Sequence, residues 1–114
     1  MKRFPSIRKN RDFQTVYRTG KSGANRQLVM YVKRTEEPAT RIGISVSKKV
    51  GNSVVRHHIT RLVRESFRLH MDMLETGCDI VVVARAAAKD SDYKTIERAF
   101  MHLCGLHNIK KESK

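Results

Sequence analysis

Apolar positions along this chain repeat with two periods, and the switches between them predict the order of elements. From Gln27 to Lys33 the period is two: Leu28, Met30 and Val32 point one way, Val29 and Tyr31 the other, as in a half-buried strand. Glu36-Glu37-Pro38 ends that strand. Period two returns from Arg41 to Ser47, with Ile42, Ile44 and Val46 on one side and Gly43, Ser45 and Ser47 on the other. Two strands so close in sequence are expected to pair antiparallel. From about Ser53 to His70 the period lengthens to that of a helix, with Val55, Ile59, Leu62, Val63 and Phe67 on one side. Asp79-Ile80-Val81-Val82-Val83-Ala84 is a continuous apolar run of strand length, which predicts a central strand.

Two further helices flank this middle. One runs from an N-cap at Asn10 to about Arg18, stops at Gly20 and carries Phe13, Val16 and Tyr17 on one face. The other begins near Ser91 and buries Tyr93, Ile96, Phe100 and Leu103. The order helix, strand, strand, helix, strand, helix predicts an α+β fold: a two-layer sandwich of a small mixed sheet with helices packed on it. Residues 41–84 form a strand–helix–strand unit with parallel strands, for which general chirality favours a right-handed crossover. The 114 residues suit a single domain over 1–114, with a basic tail from about 107 and frayed ends from Ile109 onward.

Charge sharpens this picture. The chain holds 24 Lys and Arg against 11 Asp and Glu, a net charge of +13. Residues 1–34 carry ten basic residues and one acid, whereas residues 71–114 carry seven of each. The surplus therefore belongs to one side of the sequence, which points to a positive surface. Nucleic acid, an anionic membrane and an acidic protein could all answer it. No apolar run approaches the roughly 18 residues of a spanning helix, and the basic N-terminus lacks the apolar segment of a secretory signal. The basic helix has an ordinary core face and no Trp, which weakens a membrane-surface reading. Cys78 and Cys104 stand 26 residues apart without a C-x-x-C, as expected of two buried thiols in a reducing cytoplasm; a disulfide stays open.

The charge concentrates between Lys48 and Arg68, where six basic residues face one acid, Glu65. On a helix, His57, Arg61, Arg64 and Arg68 fall within roughly 60° of one another, opposite the apolar face. Solvated helix faces usually mix both signs at i,i+4 spacing; this one does not. Guanidinium groups in a row suit phosphates, because each planar fork makes two parallel hydrogen bonds. A second candidate surface lies on the sheet. Gly43, Ser45 and Ser47 leave room for a ligand, Val29 and Tyr31 share their face, and Phe13 and Tyr17 stand at its edge. Aromatic walls beside basic residues suit unstacked bases of a single strand, although Phe13 and Tyr17 serve core packing equally well. Adjacent His57 and His58 diverge by about 100° and cannot both face one ion. No carboxylate cluster, Ser/His/Asp or Cys/His grouping stands out, so the protein alone does not resemble a catalyst.

Lys48-Lys49-Val50-Gly51-Asn52-Ser53-Val54-Val55-Arg56, followed by Ile59, Arg61-Leu62-Val63-Arg64-Glu65 and Phe67-Arg68, resembles the signature of the bacterial ribonuclease P protein subunit. Asp12-Phe13-Gln14, Val16-Tyr17, Ala24-Asn25-Arg26-Gln27, Arg41–Ser47 and Ile80–Arg85 extend the likeness to about 100 of the 114 residues. The resemblance implies an accessory subunit of a ribozyme: a large RNA removes the 5′ leader of precursor tRNA with Mg²⁺ held mainly by RNA, and the protein binds that RNA and the single-stranded leader. It implies catalytic-RNA contacts from Lys48, Lys49, Asn52, Arg56, His57, His58, Arg61, Arg64 and Arg68. It implies a leader cleft lined by Phe13, Tyr17, Val29, Tyr31, Ser45 and Ser47, and a left-handed crossover in place of the usual hand. The sequence departs from the family pattern where His58 and Thr60 replace Arg and Lys. Composition alone leaves open a ribosomal or other structural RNA-binding protein. A DNA-binding helix is disfavoured because it offers no Asn or Gln base readers.

Overall fold

The computed structural model describes residues 5–111. In chain order the elements are α1 (Asn10–Thr19), β1 (Lys21–Ala24), β2 (Leu28–Arg34), β3 (Arg41–Ser45), α2 (Ser53–His70), β4 (Cys78–Ala84) and α3 (Tyr93–Leu106), with single 3-10 turns at Met71–Met73 and Ala86–Ala88. The expected α+β arrangement of helices on a mixed sheet is present. The sheet runs β1-β2-β4-β3. β4 is antiparallel to β2, with Tyr31 opposite Val81, and parallel to β3, with Gly43 opposite the same Val81.

The antiparallel pairing expected of β2 and β3 does not form. β4, the most continuously apolar strand, takes the interior place between them, which buries both of its faces. The link from β2 to β3 steps around the entrance to β4: Thr35 N–H donates to the Gly77 carbonyl at 2.7 Å, and Thr40 Oγ1 donates to the Glu75 carbonyl at 2.7 Å. Gly77 has φ +77°, and a Cβ there would stand 3.2 Å from the Glu37 carbonyl oxygen, so glycine suits this crossing. β1 escapes a pattern-based reading because it is an edge strand with no apolar alternation; its Ser22 and Ala24 lie opposite Tyr31 and Val29. At the other edge Ser6 bridges to Ile42 in parallel, and Ile7 N–H donates to the Ile42 carbonyl at 2.8 Å.

Each face of the sheet has its own cluster. Leu28, Met30, Val32, Ile42, Ile80 and Val82 form the main core with Ile59, Val63 and Phe67 of α2 and Ile96, Phe100 and Leu103 of α3. The Phe67 and Phe100 rings meet edge to face, 6.5 Å apart. Glu97 ties the two helices together, accepting from Tyr93 Oη at 3.0 Å and pairing with His70 Nε2 at 2.8 Å. Its carboxyl is held below the usual range, first by His70 and then by Tyr93. On the opposite face α1 packs Val16 against Val81, flanked by Phe13, Tyr17, Tyr31 and Val83. Both cysteines are buried and free, and burial pushes the Cys104 thiol up to about 12.

Three expected boundaries move. Lys9, not Asn10, occupies the N-cap of α1 and makes no side-chain cap bond. α3 starts at Tyr93 because Asp92 caps it, its carboxylate accepting from Thr95 N–H at 2.9 Å. The expected tail is docked as far as Lys111. Ile109 is fully buried, Glu75 N–H donates to its carbonyl at 2.6 Å, and Lys111 N–H donates to the Met73 carbonyl at 2.8 Å. Residues 112–114 lie outside the described residues. One buried apolar side chain and these backbone bonds together pin a basic stretch. Ile109→Ala is expected to cost about 2–5 kcal/mol in urea unfolding; a loss near zero would return this segment to a loose tail.

Candidate nucleic-acid interface

The basic surface is built outward from one buried anchor. Val50 is buried, holding the loop that leaves β3, while Lys48 and Lys49 before it are exposed. Asn52 then opens α2, its Oδ1 accepting from Val55 N–H at 3.0 Å, so part of its hydrogen-bonding capacity serves the helix. With Ile59, Val63 and Phe67 turned into the core, His57, His58, Arg61 and Arg64 are exposed on the outer side. Arg56 is half-buried; its Nε is shielded from solvent and has no hydrogen-bond partner among the described residues. Thr60 donates to the Arg56 carbonyl at 2.9 Å.

Arg68 is paired within the helix itself. Its guanidinium engages Glu65 through two hydrogen bonds, Nε to Oε2 at 3.1 Å and Nη2 to Oε1. This pair, with the nearby Arg61 charge, lowers the Glu65 carboxyl. The i,i+3 spacing brings the two together on the helix surface. Arg68 therefore reaches a phosphate only by exchanging one anion for another. Beside it, His58, Arg61, Leu62, Glu65 and Tyr93 line a polar depression of about 220 Å³.

The aromatic surface lies on the face crossed by α1. A ladder of half-buried rings runs Phe13, Tyr17, Tyr31, with centroids 6.4 Å and 5.0 Å apart and the tyrosines nearly perpendicular. Beyond the rings the floor is one sheet row, Val29, Val83 and Ser45, given by the pairing of both outer strands with β4. Val29 and Ser45 are thus on one face, as the alternation predicts, but not neighbours; Val83 sits between them and was not among the expected lining residues. Ser47 is exposed beyond the end of β3, in the bend where its carbonyl accepts from Val50 N–H at 3.1 Å.

Two features shape this cleft: an ion pair not anticipated from the sequence, and a correction to Gly43, whose expected room for a ligand is taken by Phe13. Arg41 grips Asp79 with Nε to Oδ1 at 3.0 Å and Nη2 to Oδ2 at 2.7 Å, and its Nη1 stands 3.6 Å from Asp12 of α1. The lone acid opening an apolar run was the available signal for a paired cation. The second is Gly43, over which Phe13 lies so closely that a Cβ would stand 2.7 Å from Cζ of the ring. The basic and aromatic surfaces also meet: a cavity of about 250 Å³ is lined by Phe13 and Gly43 on one side and Thr60 and Arg64 on the other.

Residues 1–107 match the family model described as Ribonuclease P. The ribonuclease P protein component of Lachnoclostridium phytofermentans is 54% identical over 108 residues, covering 95% of this chain and 93% of the relative. The chain belongs to the ribonuclease P protein family. Among solved structures, the RNase P protein of Staphylococcus aureus superposes with a TM-score of 0.88 at 40% identity, covering 96% of this chain and all of that one. The RNase P protein of Thermotoga maritima gives 0.82 at 30% identity, covering 93% and 98%. Membership makes the chain a subunit of an endoribonuclease holoenzyme, and the ribosomal alternative gives way to it.

Within this ribonuclease P protein, the seat of Phe13 is open to a direct check. Gly43→Ala is expected to displace the ring and cost about 1–3 kcal/mol by overpacking. Unfolding of the Phe13→Ala/Gly43→Ala double variant should show less than the sum of the two single losses; strict additivity would deny the contact.

Proposed function

We propose that this protein serves ribonuclease P by binding two RNAs on two adjoining surfaces. The exposed side of α2 and its preceding loop, with Lys48, Lys49, Arg61 and Arg64 foremost, binds the ribonuclease P RNA. The cleft of Phe13, Tyr17, Tyr31, Val29, Val83 and Ser45 binds the single-stranded 5′ leader of precursor tRNA. The observation that carries this reading is the shared cavity between Phe13 and Arg64, which lets one strand pass from the RNA-facing helix onto the aromatic floor. Arginine forks suit a folded RNA backbone, and half-buried rings suit unstacked bases.

Cleavage chemistry in this reading belongs to the RNA. Mg²⁺ in this reading is held mainly by the RNA. The chain's own contribution is to orient the leader and neutralise phosphate. We assign it to the cytoplasm, a reading supported by two buried free thiols.

The deciding experiment incubates precursor tRNA and Mg²⁺ with the protein alone and then with its cognate RNA. Mature 5′ ends are expected only in the second case, and cleavage by the protein alone would end the proposal. The two surfaces separate by mutation. Arg64→Ala should weaken assembly with the catalytic RNA and lower its salt slope by about one unit. Tyr31→Ala should leave that assembly intact and weaken precursor tRNA binding by roughly 1–3 kcal/mol. Equal losses for both variants in both assays would merge the two surfaces into one.

A further inference from the structure

Past the cleft the β1–β2 turn and α3 border an open groove of about 350 Å³, lined by Asn25, Arg26, Gln27, Thr95, Arg98 and His102, with Ala99 behind them. It opens where the cleft ends. Val29 and Val83 form the last floor pair on β2 and β4. Two residues further out, the Gln27 carbonyl accepts from Arg85 N–H at 2.8 Å, so Gln27 and Arg85 continue the same face. Arg85 Nη1 then donates to the Asn25 carbonyl at 2.9 Å, at the lip of the groove. Because α3 packs on the face opposite α1, a strand lying along Ser45, Val83 and Val29 would round the end of the sheet at this turn to reach the groove.

The groove is held in shape by Asn25. Its Oδ1 accepts from Leu28 N–H at 3.0 Å, and its Nδ2 donates to the Ala99 carbonyl at 2.9 Å. The same Nδ2 lies 3.2 Å from His102 Nδ1. An amide nitrogen only donates, so Nδ1 is the acceptor, and the ring proton sits on Nε2 as a further donor. Arg26 and Arg98 add two exposed guanidinium groups. Of the two acids close in sequence to this wall, Glu97 is engaged by His70 and Tyr93, and Asp92 feels the Arg98 charge but caps α3 through Thr95 N–H at 2.9 Å. Guanidinium, imidazole N–H, amide and hydroxyl groups on one wall are chemistry for a phosphodiester and its sugar.

We infer that this groove takes a nucleotide of the single-stranded leader beyond the cleft, farther from the cleavage site. The inference rests on the cleft reading above and adds the α3 wall to the path. Arg98 supplies the phosphate contact, and the Asn25–His102 pair keeps the turn and helix at a fixed spacing.

The test uses the holoenzyme assembled from the full chain and its cognate RNA, with precursor tRNAs whose leaders are shortened nucleotide by nucleotide from the 5′ end. Affinity should rise with leader length until the groove is reached. Arg98→Ala should remove the last increment, a several-fold loss confined to long leaders, and lower their salt slope by about 0.7. Arg98→Lys, which keeps the charge, should retain that slope. Equal effects on short and long leaders, or no effect on either, would overturn the inference. Tyr31→Ala tells the two readings apart: it should weaken short leaders as well, and if it does not, the cleft itself fails whatever Arg98 does.

Discussion

A carboxylate at the mouth of the central strand constrains much of this structure. Asp79 is 7% exposed and sits where β3, β4 and α1 converge. A charge so placed has to be matched, and Arg41 matches it with a two-pronged grip while also reaching Asp12. The Arg41 side chain keeps 33% of its exposure. Solvent therefore screens the pair, and it contributes less than the 3–5 kcal/mol at stake in breaking a fully buried pair. Its larger role is geometric. It fixes the β3–β4 register at one end of the sheet and draws the start of α1 over that end, so the rings of α1 overhang the sheet while the far end of that face stays open.

The cleft follows from this placement together with the strand order. Because β4 lies between β2 and β3, a valine floor separates Tyr31 and Val29 from Gly43 and Ser45 and widens the trough by one strand. Strands in a sheet lie about 4.8 Å apart, so the insertion sets the width available to a stacked base. The same topology sends α2 back across the other face, and its exposed side meets the cleft at the β3 edge. Packing, pairing and recognition are thus one arrangement seen at three scales.

Much of this was legible in the sequence, for identifiable reasons. α2 announces itself through a long 3.6-residue period, and its exposed basic residues follow from the buried ones. The common face of Tyr31, Val29 and Ser45 follows from period two. What stayed hidden depends on partners distant in sequence. β1 has no apolar pattern because an edge strand needs none; strand order is decided by competition for burial; Ile109 docks against residues more than 30 positions earlier, through its side chain and backbone. The Glu65–Arg68 pair was visible at i,i+3 spacing, yet only coordinates show that the acid turns toward Arg68. The family itself was legible in the Lys48–Arg68 motif, which periodicity alone does not identify.

The short extended segment beside β3 has a consequence of its own. By bonding with Ile42 through Pro5 and Ile7, it occupies backbone donors and acceptors that a free sheet margin would offer. A peptide seeking to lengthen the sheet finds that stretch already taken. Recognition on this flank is left to side chains, whose reach and charge discriminate among ligands as bare backbone does not.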